Sequence, residues 1–125
     1  MNEATEISEI DVSDPDCPFC RIVSGQIPAD IVAEGERVIA FRDLNPVAPL
    51  HVLVIPREHH PDIGDVAQAE PEALVELVLV GRRIAEEQSG GEFRFVANTG
   101  AQAGQTVWHA HGHVIGGRHL GWPPG

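Results

Sequence analysis

The chain has 125 residues, 42% of them apolar, which is sufficient for one domain with a buried core. Eight basic and nineteen acidic side chains give a formal net charge of -11, which repels a phosphate backbone, so we expect no broad nucleic-acid-binding surface. All the basic residues are arginines, and the absence of lysine excludes Schiff-base chemistry and a P-loop lysine.

Neither a membrane span nor a secretory signal is expected from the sequence. No run approaches the roughly 18 apolar residues that a membrane-spanning helix needs. The N-terminus lacks the basic and apolar regions of a signal peptide. The two cysteines, Cys17 and Cys20, are too close in sequence to cross-link a domain, so we expect a reduced, cytoplasmic protein.

Residues 1–16 form an acidic segment with six acidic residues and no basic one. This composition predicts a solvated, disordered tail with no role in the chemistry. The remaining residues, 17–125, are predicted to form one domain.

The first half of this domain is predicted to contain a short helix and three strands. The predicted helix covers residues 19–23, and the predicted strands cover residues 30–34, 37–42 and 51–55. Pro18 suits the first turn of the helix, and Gly25 suits its end. A turn that carries His59 and His60 follows the third strand.

The second half is predicted to begin with one long helix over Pro71–Gln88. Its apolar face is formed by Leu74, Leu77, Val78, Val80, Ile84 and Ala85. A strand over residues 93–97, a glycine-rich loop over 99–105 and a long strand over 106–115 follow. The predicted fold class is therefore α+β, with an antiparallel sheet, one long helix and one short helix.

Three histidines alternate in the segment His109-Ala110-His111-Gly112-His113. On a strand these imidazoles share one face at a spacing of about 6.6 to 7 Å, which leaves room for a phosphate group above the middle ring. Imidazole is both a nucleophile and a proton donor near neutral pH. The pattern thus indicates that the middle histidine attacks phosphorus while a flanking one protonates the leaving group.

The loop before these histidines supports this interpretation. Gly100 and Gly104 let backbone N–H groups approach an anion, and Thr106 adds a hydroxyl beside them. Two alternatives stay open: polar residues on a solvated strand face, or two histidines that bind one metal ion. The metal alternative needs a further carboxylate or imidazole, and no acidic residue follows Glu92.

Several motifs together resemble the histidine-triad family, and within it the nucleotide-binding protein branch. The motifs are FRDLNP at 41–46, APLHVLVIP at 48–56, GQT at 104–106, HAHGHVI at 109–115, GGR at 116–118 and WPPG at 122–125. The resemblance covers residues 17–125. It implies hydrolysis of purine nucleoside phosphoramidates at the bond between AMP and nitrogen, through a covalent nucleotidyl-histidine and without a metal in the chemistry.

The resemblance also implies which residues form the site. The implied catalytic residues are His111 as the nucleophile, His113, His109, His51 and Thr106. The implied nucleotide-binding residues are Asp43 at the ribose hydroxyls, Leu44, Phe19, Ile22, Ile27, Phe41, Asn98, Gly104 and Gln105. For the five apolar residues, ordinary core packing is an equal alternative.

A structural zinc site is also implied, because similar bacterial proteins carry zinc on this arrangement of residues. The implied ligands are Cys17, Cys20, His59 and His109. The two cysteines are one helical turn apart, so both thiols lie on one side of the helix. Two buried thiols without a metal are the alternative. His60 and His119 are expected at the surface.

The resemblance implies a homodimer in which the sheet continues across the two-fold axis. The sequence departs from the family pattern at Ala110 and Gly112, which are smaller than usual, so other side chains must fill the space behind them. Thr106 replaces the usual serine and keeps the hydroxyl. Two alternative functions remain, a dinucleoside polyphosphate hydrolase and a nucleotide-binding regulator without catalysis.

Overall fold

The computed structural model describes residues 13–125, so most of the predicted acidic tail lies outside the described residues. The described elements are helix α1 (Pro18–Ser24), strands β1 (Ile31–Glu34), β2 (Val38–Arg42) and β3 (Leu50–Pro56), helices α2 (Ile63–Ala69) and α3 (Pro71–Gln88), strand β4 (Phe93–Val96), a 3₁₀ helix (Ala101–Ala103) and strand β5 (Gly112–Gly116). No helix among these is long and apolar enough to cross a membrane.

The five strands form one sheet in the order β1-β2-β3-β5-β4, and every neighbouring pair is antiparallel. The predicted α+β class with an antiparallel sheet is confirmed. The chain leaves the end of β3, passes through α2 and α3 to the edge strand β4, and returns to insert β5 between β3 and β4. This crossover brings the three histidines next to the end of β3.

Both faces of the sheet are covered. Helix α3 packs on one face, where Leu77, Val80 and Ile84 contact buried residues that include Val52 and Val114. Helix α1 covers part of the other face, which is a separate buried cluster made of Cys17, Phe19, Cys20, Ile39, Phe41, Leu53 and Ile55. Val78, predicted on the buried face of α3, is instead 43% exposed.

The prediction of a long strand over residues 106–115 is wrong, because only Gly112–Gly116 pairs with neighbouring strands. Strand β4 ends at Val96, which pairs with His113, so residues 106–111 have no partner on that side. On the other side, the Pro56 carbonyl accepts a hydrogen bond from the His109 imidazole. Residues 106–111 therefore leave the sheet as an irregular segment.

Helix α2 was not predicted from the sequence. Its seven residues include one glycine and two alanines and bury only Val66, so they show little apolar periodicity. The helix begins after Asp62, whose carboxylate accepts a hydrogen bond from the Asp65 N–H at 2.9 Å. This N-cap is the sequence feature that could have identified the helix.

The space behind the small residues Ala110 and Gly112 is filled, as the sequence required. A Cβ placed on Gly112 would overlap the ring of Phe95, so this ring occupies the volume that a larger side chain would need. Ala110 is buried with Val66 of α2 and Ala73 of α3. The segment with the three histidines thus packs against β4 and the two helices.

Candidate functional site

A cavity of about 550 Å³ lies between α1, the end of β2 and the irregular segment before β5. This volume is in the range of small-molecule sites. Its lining includes most of the residues that the sequence singled out, namely Phe19, Ile22, Ile27, Phe41, Asp43, Leu44, Asn98, Gly104, Thr106, His111 and His113. Leu53 and Val107 are among the lining residues that were not predicted. Leu53 follows His51 by two residues on β3, so strand alternation could have indicated it.

His111 lies in this cavity with one defined ring orientation. Its Nδ1 lies 2.8 Å from the backbone oxygen of His109. Because a carbonyl oxygen can only accept, Nδ1 carries the proton and Nε2 has the free lone pair. The ring also packs edge-on against Phe19, with ring centroids 5.2 Å apart. His111 is therefore held as the tautomer in which Nε2 can act as a nucleophile.

His113 and His51 form a hydrogen-bonded pair beside His111. The Val47 N–H donates to His51 Nδ1 at 3.1 Å, so His51 carries its proton on Nε2. His51 Nε2 lies 3.0 Å from His113 Nδ1 and 3.3 Å from an Asp43 carboxylate oxygen. His113 Nδ1 thus accepts from His51, which leaves the proton of His113 on Nε2.

The pKa of His113 is lowered to about 4, mainly by burial and in addition by charge repulsion from His111 and His51, while Asp43 opposes these effects. His113 is therefore neutral at pH 7 in the free protein. A bound anion would shift this balance, because negative charge close to an imidazole favours its protonated form.

The loop before the irregular segment presents one wall of the cavity. Gly104 has a φ of 97°, a left-handed conformation that favours glycine, and its position beside the Asn98 amide brings backbone close to the cavity. The Gln105 side chain, predicted at the nucleotide, does not line this cavity. It is 3% exposed, and its amide bonds to three backbone groups.

Four side chains beside the cavity form a compact group of metal-ligand type: Cys17, Cys20, His59 and His109. His109 Nδ1 lies 3.4 Å from Cys17 Sγ, 3.5 Å from Cys20 Sγ and 3.3 Å from His59 Nδ1. A tetrahedral zinc ion with Zn–S near 2.3 Å and Zn–N near 2.0 Å has ligand atoms about 3.3 to 3.8 Å apart. The donor set and its spacing are therefore compatible with zinc.

The protonation state of His109 is also the one that a zinc ligand needs. Its Nε2–H donates to the Pro56 carbonyl at 2.9 Å, so Nδ1 has the free lone pair that a ligand needs. Burial lowers the pKa of His109 to about 4, which keeps the ring neutral. Burial raises the pKa of the Cys20 thiol to about 11, an effect that a coordinated cation would reverse.

The structure separates His109 from the other predicted catalytic histidines. Its ring faces the cysteines and does not line the 550 Å³ cavity, whereas His111 and His113 do. The alternative that His109 and His111 bind one metal ion together is not supported, because among residues 13–125 these two do not belong to one ligand group. Phe19 contacts both rings and separates the two sites.

His60, which the sequence placed at the surface, has a partner. Its side chain is 12% exposed, and Nε2 lies 3.1 Å from a carboxylate oxygen of Glu70. The sequence contains no local pattern that pairs these residues, because one lies in a turn and the other precedes α3.

Comparison with known proteins gives one consistent result. Residues 24–120 match the HIT domain family. An uncharacterised HIT-like protein of Synechocystis is 42% identical over 111 residues, which cover 88% of this chain and 97% of the relative.

Solved structures show the same similarity. A HIT family hydrolase of Legionella pneumophila aligns with a TM-score of 0.83 and 40% identity, over 88% of this chain and all of its own. A HIT family hydrolase of Clostridium thermocellum aligns with a TM-score of 0.82 and 37% identity, over 87% of this chain and 96% of its own.

Proposed function

Because the chain belongs to the histidine-triad (HIT) family, we propose that it hydrolyses purine nucleoside phosphoramidates, with His111 as the nucleophile at phosphorus. The observation that supports this most is the hydrogen bond from His111 Nδ1 to the His109 carbonyl, which leaves the lone pair on Nε2. Solved relatives described as hydrolases agree with a catalytic role.

The reaction has two steps. In the first, His111 Nε2 bonds to the α-phosphorus, the P–N bond breaks, and the amine leaves with a proton from the histidine cluster. In the second, water attacks the phosphorus of the nucleotidyl-histidine, the bond between phosphorus and His111 Nε2 breaks, and one proton of the water returns to the cluster while its oxygen stays on phosphorus. The products are the amine and a nucleoside monophosphate, and the atoms and protons balance.

In this scheme His113 takes up and releases a proton, and His51 and Asp43 stabilise its charged form. The negative phosphoryl group beside His113 raises the pKa of this residue from its low value in the free protein, so a proton enters with the substrate. The Asp43 carboxylate, 3.3 Å from His51 Nε2, stabilises positive charge on the histidine pair.

The phosphoryl oxygens are bound by the loop next to these histidines. Gly104, Asn98 and Thr106 line the cavity near His111 and offer backbone N–H, amide and hydroxyl groups. Donors fixed in place before the reaction stabilise charge that develops in the transition state.

The nucleoside occupies the apolar part of the cavity, which begins at Phe19 beside the His111 ring. Phe19, Ile22, Ile27 and Phe41 form an apolar slot for the purine, with Leu44 at its exposed rim. Asp43 lines the same cavity and binds the ribose hydroxyls.

A structural zinc ion on Cys17, Cys20, His59 and His109 is part of the proposal. The donor atoms have suitable identities and spacing, and His109 has the required tautomer. When bound, zinc would link α1 to the turn after β3 and to the irregular segment, so its role would be to hold these parts together.

We also propose a homodimer in which β4 pairs with its copy. Strand β4 is a sheet edge within the described residues. Val75, Val78 and Leu79 on the outer side of α3 are 43 to 59% exposed, and a second copy would cover them.

The proposed function is tested by incubating the purified protein with adenosine 5′-phosphoramidate and following AMP release. We expect release by the parent and by His119→Ala, a control at an exposed histidine, and none by His111→Ala. AMP binding without release by the parent would instead indicate a nucleotide-binding protein without this activity. Faster turnover of a diadenosine polyphosphate would indicate the other hydrolase branch.

A further inference from the structure

The segment that carries the proposed nucleophile is held by a turn, in addition to the bond between the His109 imidazole and Pro56 of β3. Residues 106–111 have no strand partner, yet the Ala110 N–H donates to the His60 backbone oxygen at 2.7 Å. Gln105 Nε2 donates to the backbone oxygen of Pro61 at 2.7 Å. The turn after β3 thus anchors Ala110, directly next to His111, and Gln105, the residue directly before the segment.

The Gln105 side chain is buried, and every hydrogen-bonding group of its amide has a partner. Besides Pro61, its Nε2 donates to the Val107 carbonyl at 3.1 Å, and its Oε1 accepts from the Gly100 N–H at 3.0 Å. Both amide protons and the amide oxygen are used by backbone. Gln105 therefore connects the start of the glycine-rich loop, at Gly100, and Val107, just after the end of this loop, to the turn at Pro61.

The turn is fixed in its place by the His60 side chain. His60 Nε2 bonds to Glu70 at 3.1 Å, and the two side chains are only 12% and 14% exposed. Glu70 is the residue between α2 and α3, and its own N–H donates to the Val66 carbonyl. Because a buried hydrogen bond to a carboxylate is strong, this contact ties the turn firmly to the helix pair.

We propose that His60 and Glu70 are positioning residues for His111, acting through the Ala110 N–H. This inference rests on the proposed function for its catalytic consequence. Ala110 lies between His109, whose carbonyl orients the His111 ring, and His111 itself. A displacement of this backbone moves Nε2 relative to phosphorus, and a shift of about 1 Å can cost about 10²-fold in rate.

The first test measures amide hydrogen exchange at Ala110 by NMR in the parent, Glu70→Ala and Glu70→Gln. We expect at least about tenfold faster exchange at Ala110 in Glu70→Ala, with the amides between β2 and β3 unchanged. Glu70→Gln keeps an oxygen that can accept from His60, so it should restore exchange close to that of the parent.

A matched control distinguishes this bond from general charge effects. Glu58 lies 3.9 Å from the same His60 nitrogen and is 48% exposed, so Glu58→Gln should leave exchange and activity unchanged. If Glu70→Ala does not fold, His60→Leu removes the same bond from the other side. Exchange at Ala110 equal to that of the parent in Glu70→Ala or His60→Leu would overturn the proposal.

The second test separates catalysis from binding. With adenosine 5′-phosphoramidate, Glu70→Ala should lower kcat about tenfold while the Kd for AMP changes less than about twofold, and Glu70→Gln should restore kcat. An equal fall in Glu58→Gln, or no rescue by Glu70→Gln, would contradict the positioning role. If the parent releases no AMP, the proposed function fails, and the exchange experiment still decides whether this pair anchors Ala110.

Discussion

Gly112→Ala tests whether the Phe95 ring supports the strand that carries the histidines. Gly112 lies between His111 and His113, and an alanine Cβ there would overlap three carbons of the Phe95 ring. Gly112 is not among the glycines with positive φ, so alanine can adopt its backbone conformation. The cost of the substitution is therefore steric.

The expected loss of stability follows from two opposing effects. Inserting a methyl group into a packed space costs about 1 to 3 kcal/mol. Because the new Cβ would overlap three ring carbons, the cost lies at the upper end of this range, about 2 to 3 kcal/mol. Alanine in a strand gains about 0.5 to 1 kcal/mol over glycine, so the net loss should be about 1 to 2.5 kcal/mol. For a domain of this size, each kcal/mol lowers Tm by about 4 °C, so we expect a fall of about 4 to 10 °C.

The assay is a double-mutant cycle with Phe95→Leu, read from urea unfolding. The smaller leucine makes room for the new Cβ, so the double mutant should be more stable than the sum of the single effects by about 0.5 to 3 kcal/mol. Gly121→Ala is the control, because nothing lies within 4 Å of a Cβ at that position. Additive effects, or Gly112→Ala as stable as the parent, would refute the steric reasoning.

Three further predictions concern metal, pH and assembly. Protein purified without chelator should contain about one zinc ion per chain, and Cys20→Ser should lower both zinc content and Tm; metal analysis without zinc in the parent would remove the site. Burial lowers the pKa of His113 to about 4, so the unfolded chain, with histidines near 6.5, takes up protons first. The free energy of unfolding should therefore fall as the pH drops from about 6.5 to 4, and urea titrations that show no change across this range would contradict it. Light scattering should give the mass of a dimer, and a monomer would exclude the proposed pairing of β4.

The sequence predicted the parts of the fold that depend on local pattern. The helical periodicity of apolar residues in α3 and the β-rich runs of β2 and β3 predicted the bounds of these elements to within one or two residues of those in the structure. The motifs also indicated many of the residues that line the 550 Å³ cavity, because these belong to a few short segments.

Other features depend on contacts that the sequence does not encode locally. Residues 106–111 have β-compatible alternation, but a strand needs neighbours. On one side β4 ends at Val96, opposite His113, and on the other the carbonyl of Pro56 in β3 is bonded by the His109 imidazole. A glutamine such as Gln105 can bind either a ligand or the backbone, and the choice depends on how close Pro61 and Gly100 come. The partner of His60 lies ten residues further along, after a helix that the periodicity did not reveal.

The most direct test of the account is a search for nucleotide bound covalently to His111. The protein is mixed with adenosine 5′-phosphoramidate, quenched within one turnover, and examined by intact mass and peptide mapping under conditions that preserve phosphohistidine. We predict a mass increase of one AMP, located on His111 and absent from His111→Ala. AMP release with no adduct at any time, or an adduct on His113, would contradict His111 as the nucleophile.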